Sequence, residues 1–244
     1  VLLISTHLIC LNLLGQDSRM DSLKSILETI GTDTVKVNLL NETGLEYFYE
    51  EDFEEARDYF DRALITSKEI GFAKGKAYAL KNIGLVAYYQ GNYTEVFDYW
   101  TRSLKQFELI KDTLGIANMS SNIGVIYYDQ GSHARALDYY LQSLRFSEFL
   151  KDPTRISTAL INIGGVYAQM QEYDKALDYY QQFEFYRDDI DDPDFQTTYL
   201  MAIGEVYSER NDHEKARAYF LEALKISMNT TDYAHNLTMI GKEE

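Results

Sequence analysis

One cysteine, two prolines and one tryptophan are spread over 244 residues. The lone thiol, Cys10, rules out a disulfide framework and any multi-cysteine metal site. Positive charge is also scarce: 23 Lys and Arg stand against 39 Asp and Glu, a net charge of −16. A surface of that sign repels a nucleic-acid backbone and an anionic membrane, so neither is expected as main partner, while a basic partner is admitted. A charged outer helix face is the plainer reading of the same excess. Catalytic signatures are missing as well: there is no His-Glu-x-x-His, no glycine-rich phosphate loop and no nucleophile–base pair. The chain is therefore read as non-enzymatic, with no cofactor. The Asp-rich run 188–194 does not make a calcium loop, because Pro193 stands where that loop needs Gly and Tyr199 where it needs Glu. It reads as a solvated turn.

What the chain does have is a period. Glycine recurs every 40 residues, at Gly44, Gly84, Gly124, Gly164 and Gly204. Three residues on comes Tyr47, Tyr127, Tyr167 or Tyr207, with Ala87 the exception. Twelve on is Ala56, Val96, Ala136, Ala176 or Ala216; sixteen on is always aromatic, as Phe60, Trp100, Tyr140, Tyr180 and Phe220. Nineteen on is small except at Phe183. Within each half-period these positions follow the spacing of one helix face. The halves meet at Gly91, Gly131 or Asn211, residues suited to the left-handed conformation that ends a helix; Glu51 and Gln171 hold that place less comfortably. Short breaks between helices make antiparallel hairpins. A mid-helix glycine costs about 0.5–1 kcal/mol against alanine, so five copies imply a close approach, expected between Gly124 and Ala136 with Tyr127 and Tyr140 beside it.

A fixed period of this length marks a stacked array. On the pattern Leu80, Ile83-Gly84, Val96, Trp100, Ser103, repeated as Leu160, Ile163-Gly164, Tyr167, Ala176, Tyr180, the chain resembles the tetratricopeptide repeat family. The resemblance covers residues 33–228, in units of about 33–70, 73–110, 113–150, 153–190 and 194–228. It implies an all-α, right-handed superhelix of about five helical hairpins that binds protein or peptide. These repeats are longer than the usual family unit and are similar to those of kinesin light chains and the Leu-Gly-Asn spindle adaptors. Pro153 and Pro193, each after an aspartate, are expected to open helices.

Residues 1–14 are apolar and too short to span a bilayer. Segment 1–16 is read as a signal-peptide remnant cut near Gly15; the alternative is a hydrophobic helix docked on the array. Residues 17–31 form an amphipathic segment, with Met20, Leu23, Ile26, Leu27 and Ile30 on one face, expected to cap the first repeat. The chain does not start with Met, and 231–244 look like the start of a further repeat or a terminal cap, so a piece of a longer protein is expected.

Asn82, Asn122 and Asn162 each precede the repeat glycine by two, one per repeat. In the similar long-repeat adaptors, asparagines at this register hold peptide main chain, which makes these three a candidate groove ladder; the alternative is that each ties adjacent repeats together. Around them the first helices offer Phe48, Tyr49, Tyr78, Lys81, Leu85, Tyr88, Tyr89 and Tyr128, then Asp129, Gln169, Glu205 and Glu209. An aromatic half and an acidic half suit a ligand with apolar anchors and a basic end. The family's carboxylate clamp for acidic chaperone tails is matched at Lys81 and Asn122 but not at Leu85, Thr158 or Asn162, so such tails are not expected. His133 and His213 stand where other repeats carry Phe53, Tyr93 and Tyr173, and read as packing residues. The order of leader, amphipathic helix and long repeats resembles the N-terminal sensor region of membrane-anchored bacterial signalling proteins. That implies an extracytoplasmic location, with membrane contact only through the leader or a segment downstream. The alternatives are a cytoplasmic scaffold, or the regulatory input of a histidine kinase or cyclase outside this chain. The sequence carries no signal of oligomeric state.

Overall fold

The computed structural model describes residues 19–190, 192–227 and 239. The expected leader, and the segment 231–244 apart from Met239, lie outside the described residues. Among these residues every regular element is helical: α1 (19–29), α2 (Thr34–Tyr49), α3 (Phe53–Glu69), α4 (Ala73–Tyr89), α5 (Tyr93–Leu109), α6 (Thr113–Asp129), α7 (His133–Leu150), α8 (Pro153–Gln169), α9 (Tyr173–Phe183), α10 (Pro193–Glu209) and α11 (His213–Ile226). The chain is an all-α solenoid of stacked hairpins, in two compact units, residues 1–115 and 116–244.

In the first unit the hairpins are α2–α3 and α4–α5. Their antiparallel sense shows in α4–α5, where the Trp100 indole donates to the Lys81 carbonyl (3.1 Å) and Ser103 Oγ to the Ala77 carbonyl (2.8 Å). Helix α4 packs on both α2 and α3. Helix α1 joins this core through Leu27, with Met20 and Leu23 also buried, and Arg19 pairs with Glu42 and Glu46 of α2. Ile26, counted on the apolar face, is 46% exposed.

The second unit repeats the arrangement as α6–α7, α8–α9 and α10–α11. Ser143 Oγ donates to the Ala117 carbonyl (2.9 Å), the same bond one repeat on. Its fourth repeat departs from the others. Phe183, where other repeats have Ala or Ser, is fully buried against Tyr199 (centroids 4.2 Å apart) and Phe195. A ring cannot lie at a crossing built for a methyl or hydroxymethyl group. Helix α9 ends there after 11 residues, and a 3₁₀ turn, Arg187–Asp189, follows.

The expected partner of the repeat glycine is corrected. The glycine's nearest neighbour is the aromatic sixteen residues on, which the sequence places beside the crossing. A Cβ on Gly44 would lie 2.5 Å from the Phe60 ring, and one on Gly124 2.5 Å from the Tyr140 ring; Gly84, Gly164 and Gly204 meet Trp100, Tyr180 and Phe220 in the same way. Such distances are below any real Cβ contact, so the ring replaces the side chain.

Breaks fall every 20 residues. The left-handed residue is Glu51, Gly91, Gln171 or Asn211 inside the hairpins, with Gly131 at the same place, and Gly71, Lys111 or Lys151 between them. Among the described residues five non-glycines thus stand where glycine is easiest, three inside and two between hairpins, because the chain must turn there whatever the residue. Starts are capped by side chains: Asp33, Asp52, Asn92, Asp152, Asp192 and Asp212 each accept a bond from an N–H of the first turn. Pro153 and Pro193 are the first residues of α8 and α10.

Neighbouring glycines in α8 give a clean test. Gly164 lies under Tyr180, whereas a Cβ on Gly165 would meet only the Tyr180 hydroxyl, at 3.8 Å. Gly164→Ala is expected to destabilise by about 1–3 kcal/mol through overpacking. Gly165→Ala is expected to stabilise by about 0.5–1 kcal/mol through helix propensity. Thermal denaturation followed by circular dichroism reads the opposite shifts.

Candidate functional site

In the first unit, Tyr78, Lys81, Leu85 and Tyr88 fall on one stripe of α4, and all four are half-buried. Two of these rings are partly committed to packing. Tyr78 meets Phe107 edge-on (5.2 Å), and Tyr88 stacks on Trp100 (5.7 Å, 21°). Leu85 leans on the hydrophobic core. Lys81 Nζ lies 5.6 Å from the centre of the Tyr78 ring, and among the described residues no carboxylate pairs with it. Burial pulls its pKa below the ordinary lysine value.

Asn82 is corrected. Its side chain is 1% exposed and donates to Asn41 Oδ1 (3.1 Å), and Asn41 in turn donates to the Val37 carbonyl (3.0 Å). Asn82 therefore ties α4 to α2, the alternative role, and is closed to a ligand. Asn122 and Asn162 differ. Both are half-buried, and among the described residues neither side chain makes a hydrogen bond. One position, two environments: the pattern of one asparagine per repeat concealed a difference that burial decides.

The second unit holds a pocket of about 370 Å³. Helix α6 contributes Tyr128, α8 contributes Gly165 and Gln169, and α10 contributes Glu205 and Glu209; buried Tyr180 underlies it and Met239 also reaches it. Among the described residues no Lys, Arg or His lines it. Burial pushes the Tyr128 hydroxyl's pKa up; the Gln169 side chain opposes the rise, and the Glu205 and Asp129 carboxylates add to it. The site is thus polar and negative, with room for one side chain or a short peptide turn.

Gly165 makes that room. The equivalent residues are Leu45, Leu85, Val125 and Glu205, so one repeat lacks the side chain that would fill the space. The signal was visible as the doubled Gly164-Gly165, but a glycine beside the repeat glycine draws no attention without the third dimension. A second feature also went unread. The tyrosine three residues after the repeat glycine stacks on the one at fifteen: Tyr47–Tyr59, Tyr127–Tyr139, Tyr167–Tyr179 and Tyr207–Tyr219 have centroids 5.4–5.6 Å apart. A cation covers each pair, as Lys24, Arg135, Lys175 or Lys215. His133 lies half-buried beside Tyr128 (6.2 Å), but His213 is exposed, so only the first of the two expected packing histidines has that setting. Asp192, in the acidic run, caps α10 through Asp194 and Phe195 N–H groups.

Stacked hairpins whose first helices supply a polar pocket define a helical-repeat interaction module. The chain belongs to the tetratricopeptide repeat family: family models of that description match residues 41–95, 115–183 and 197–229. No curated protein sequence matches it. Among solved structures, BtubC (BKLC) from P. vanneervenii is 18% identical with a TM-score of 0.77, over 87% of this chain and 91% of that one. The apo form of RapI is 19% identical with a TM-score of 0.72, over 94% and 68%. The quorum sensor NprR from B. thuringiensis is 18% identical in its apo form, TM-score 0.71, over 92% of this chain and 62% of that one. NprR in complex with its cognate peptide NprX scores 0.63 at 19% identity, over 92% and 64%. At these identities the likeness is one of fold.

Lys81 supplies a pH test. Its folded pKa is depressed, so between that value and the ordinary one the unfolded chain binds the proton more tightly, and stability rises with pH across this window. Lys81→Met is expected to raise the thermal midpoint at pH 7, with the gain over wild type shrinking towards pH 10. A gain independent of pH would refute the assignment.

Proposed function

We propose that the chain is a non-enzymatic module that binds a peptide segment of a partner protein, with the second unit's pocket as its principal site. Asn122 and Asn162 hold the peptide main chain, each offering one donor and one acceptor. Glu205 and Glu209 take a basic side chain into the space above Tyr180. Tyr78, Lys81, Leu85 and Tyr88 form a ligand-facing stripe of the first unit. The observation that carries the reading is the pocket itself, open at Gly165 and lined by two carboxylates. A quorum sensor of the same fold that is solved with its cognate peptide lends support.

Random 12-residue peptides displayed on phage and selected on the wild-type protein test this. The selected peptides are expected to share an Arg or Lys at one position. Synthesised singly, they should lose about fivefold in affinity on Asn122→Ala or Asn162→Ala, one hydrogen bond's worth, and most of it on Gly165→Leu, which fills the pocket. Equal binding by Gly165→Leu would move the site elsewhere.

We further propose an extracytoplasmic sensor role, on the apolar residues 1–14 followed by Gly15-Gln16-Asp17. Intact mass after expression with these residues in a secreting bacterial host checks it. Loss of the leader near Gly15 with periplasmic product is expected. An uncut cytoplasmic chain would replace this role with that of a cytoplasmic scaffold.

A further inference from the structure

The first unit carries a second surface, which adjoins the α4 stripe at Tyr88. Around the turns inside its two hairpins six rings form one cluster. Phe48 meets Tyr49 (5.8 Å), Phe53 (5.5 Å) and Tyr89 (4.9 Å); Tyr89 meets Tyr88 (5.9 Å), and Tyr88 meets Tyr93 (6.1 Å). Phe48 is buried, but Tyr49 is 71%, Tyr89 61% and Tyr93 49% exposed. Between Tyr49 and Phe53 the chain runs Glu50-Glu51-Asp52, and Glu54 follows; all four acids are exposed.

Elsewhere in the protein cations lie over tyrosines that are buried or half-buried. Lys24 covers Tyr47, Arg62 covers Tyr59, Arg57 and Arg102 flank Tyr99, and the second unit repeats the device at Tyr127, Tyr167 and Tyr207. Among the described residues no Lys or Arg lies over Tyr49, Tyr89 or Tyr93. The sequence explains why: there is none between Lys36 and Arg57, nor between Lys81 and Arg102, and these are the segments that build the cluster. Arg57 itself is held by Asp61 and Glu95.

We infer that this surface docks an arginine-bearing segment of a partner protein, whose guanidinium groups lie on the exposed tyrosine rings. Open tyrosine faces attract a guanidinium, which stacks flat on them and still pairs with a carboxylate through its edge. Glu50 and Glu51, exposed and next to Tyr49 in the chain, are the acids that can take that edge. An apolar partner fits poorly, since it would strip water from these carboxylates and give them nothing in exchange. A second copy of the chain brings the same acids and the same net charge of −16, and is repelled.

The test is calorimetric titration of the full chain with acetyl-hexaarginine amide at 150 mM salt, and with the hexalysine equivalent. It is run on Glu205→Gln/Glu209→Gln protein, so that the pocket of the second unit does not contribute and failure of the pocket reading stays separate. Hexaarginine is expected to bind several-fold more tightly than hexalysine. Tyr49→Leu/Tyr89→Leu, which keeps every charge, is expected to weaken it roughly tenfold. Circular dichroism confirms that the variant, altered only at exposed rings, is folded. If the leucine variant binds hexaarginine as tightly as its parent, the attraction is only the general acidic field and the inference is wrong. It is equally wrong if the peptide-free protein sediments as a dimer that Tyr89→Leu dissociates.

Discussion

Each hairpin rests on an aromatic ring laid on a glycine. The ring sixteen residues downstream occupies the volume where a Cβ would stand, so the first helix must carry no side chain there and the second must carry a flat one. That contact sets how closely two helices approach and how they are rotated about their axes. The rest follows: the small residue at nineteen sits where the helices are nearest, and where it is Ser103 or Ser143 its hydroxyl bonds a carbonyl of the opposite helix. The glycine's loss of helix propensity is offset by burial of a whole ring, worth about 1.5–3 kcal/mol.

Because the contact recurs every 40 residues, so do the surfaces that it leaves outward. First helices present equivalent positions one repeat apart, and function is written in the departures. Where the consensus side chain beside the repeat glycine is missing, at Gly165, a pocket opens; where it is replaced by a carboxylate, at Glu205, the pocket turns negative. The surrounding +16 aromatics are not affected, since Tyr180 forms the floor of the pocket and the cover of Gly164 at once. Fold and site thus use different faces of the same helices, and a site can change without loosening the stack.

Phe183 shows the limit of that separation. A ring at a crossing position ends α9 early and redirects the chain through Arg187–Asp189. The gap is closed by other means: Tyr199 is buried there and its hydroxyl bonds Glu184 at 2.5 Å, while Arg187 reaches Glu222 of α11 at 2.8 Å. A departure at the inner face is absorbed by rebuilding a loop, whereas one at the outer face leaves the helices untouched.

The periodic glycines and aromatics by themselves determined that the chain makes helical hairpins, how many and in what register, because that information is local: one helix face and one break every 20 residues. The acid excess and the absence of catalytic motifs likewise needed no structure. Only the tertiary structure decided which of three equivalent asparagines is consumed internally. Asn82 finds Asn41 on the preceding first helix, one residue off the register at which the ladder was sought, while Asn122 and Asn162 find no such partner among the described residues. It also decided that the glycine's nearest neighbour is a ring, that Gly165 borders a pocket, and that, among the described residues, no Lys or Arg lies over Tyr49, Tyr89 or Tyr93. Each depends on what a neighbouring helix places within a few ångströms, a distance that spacing along the chain does not encode.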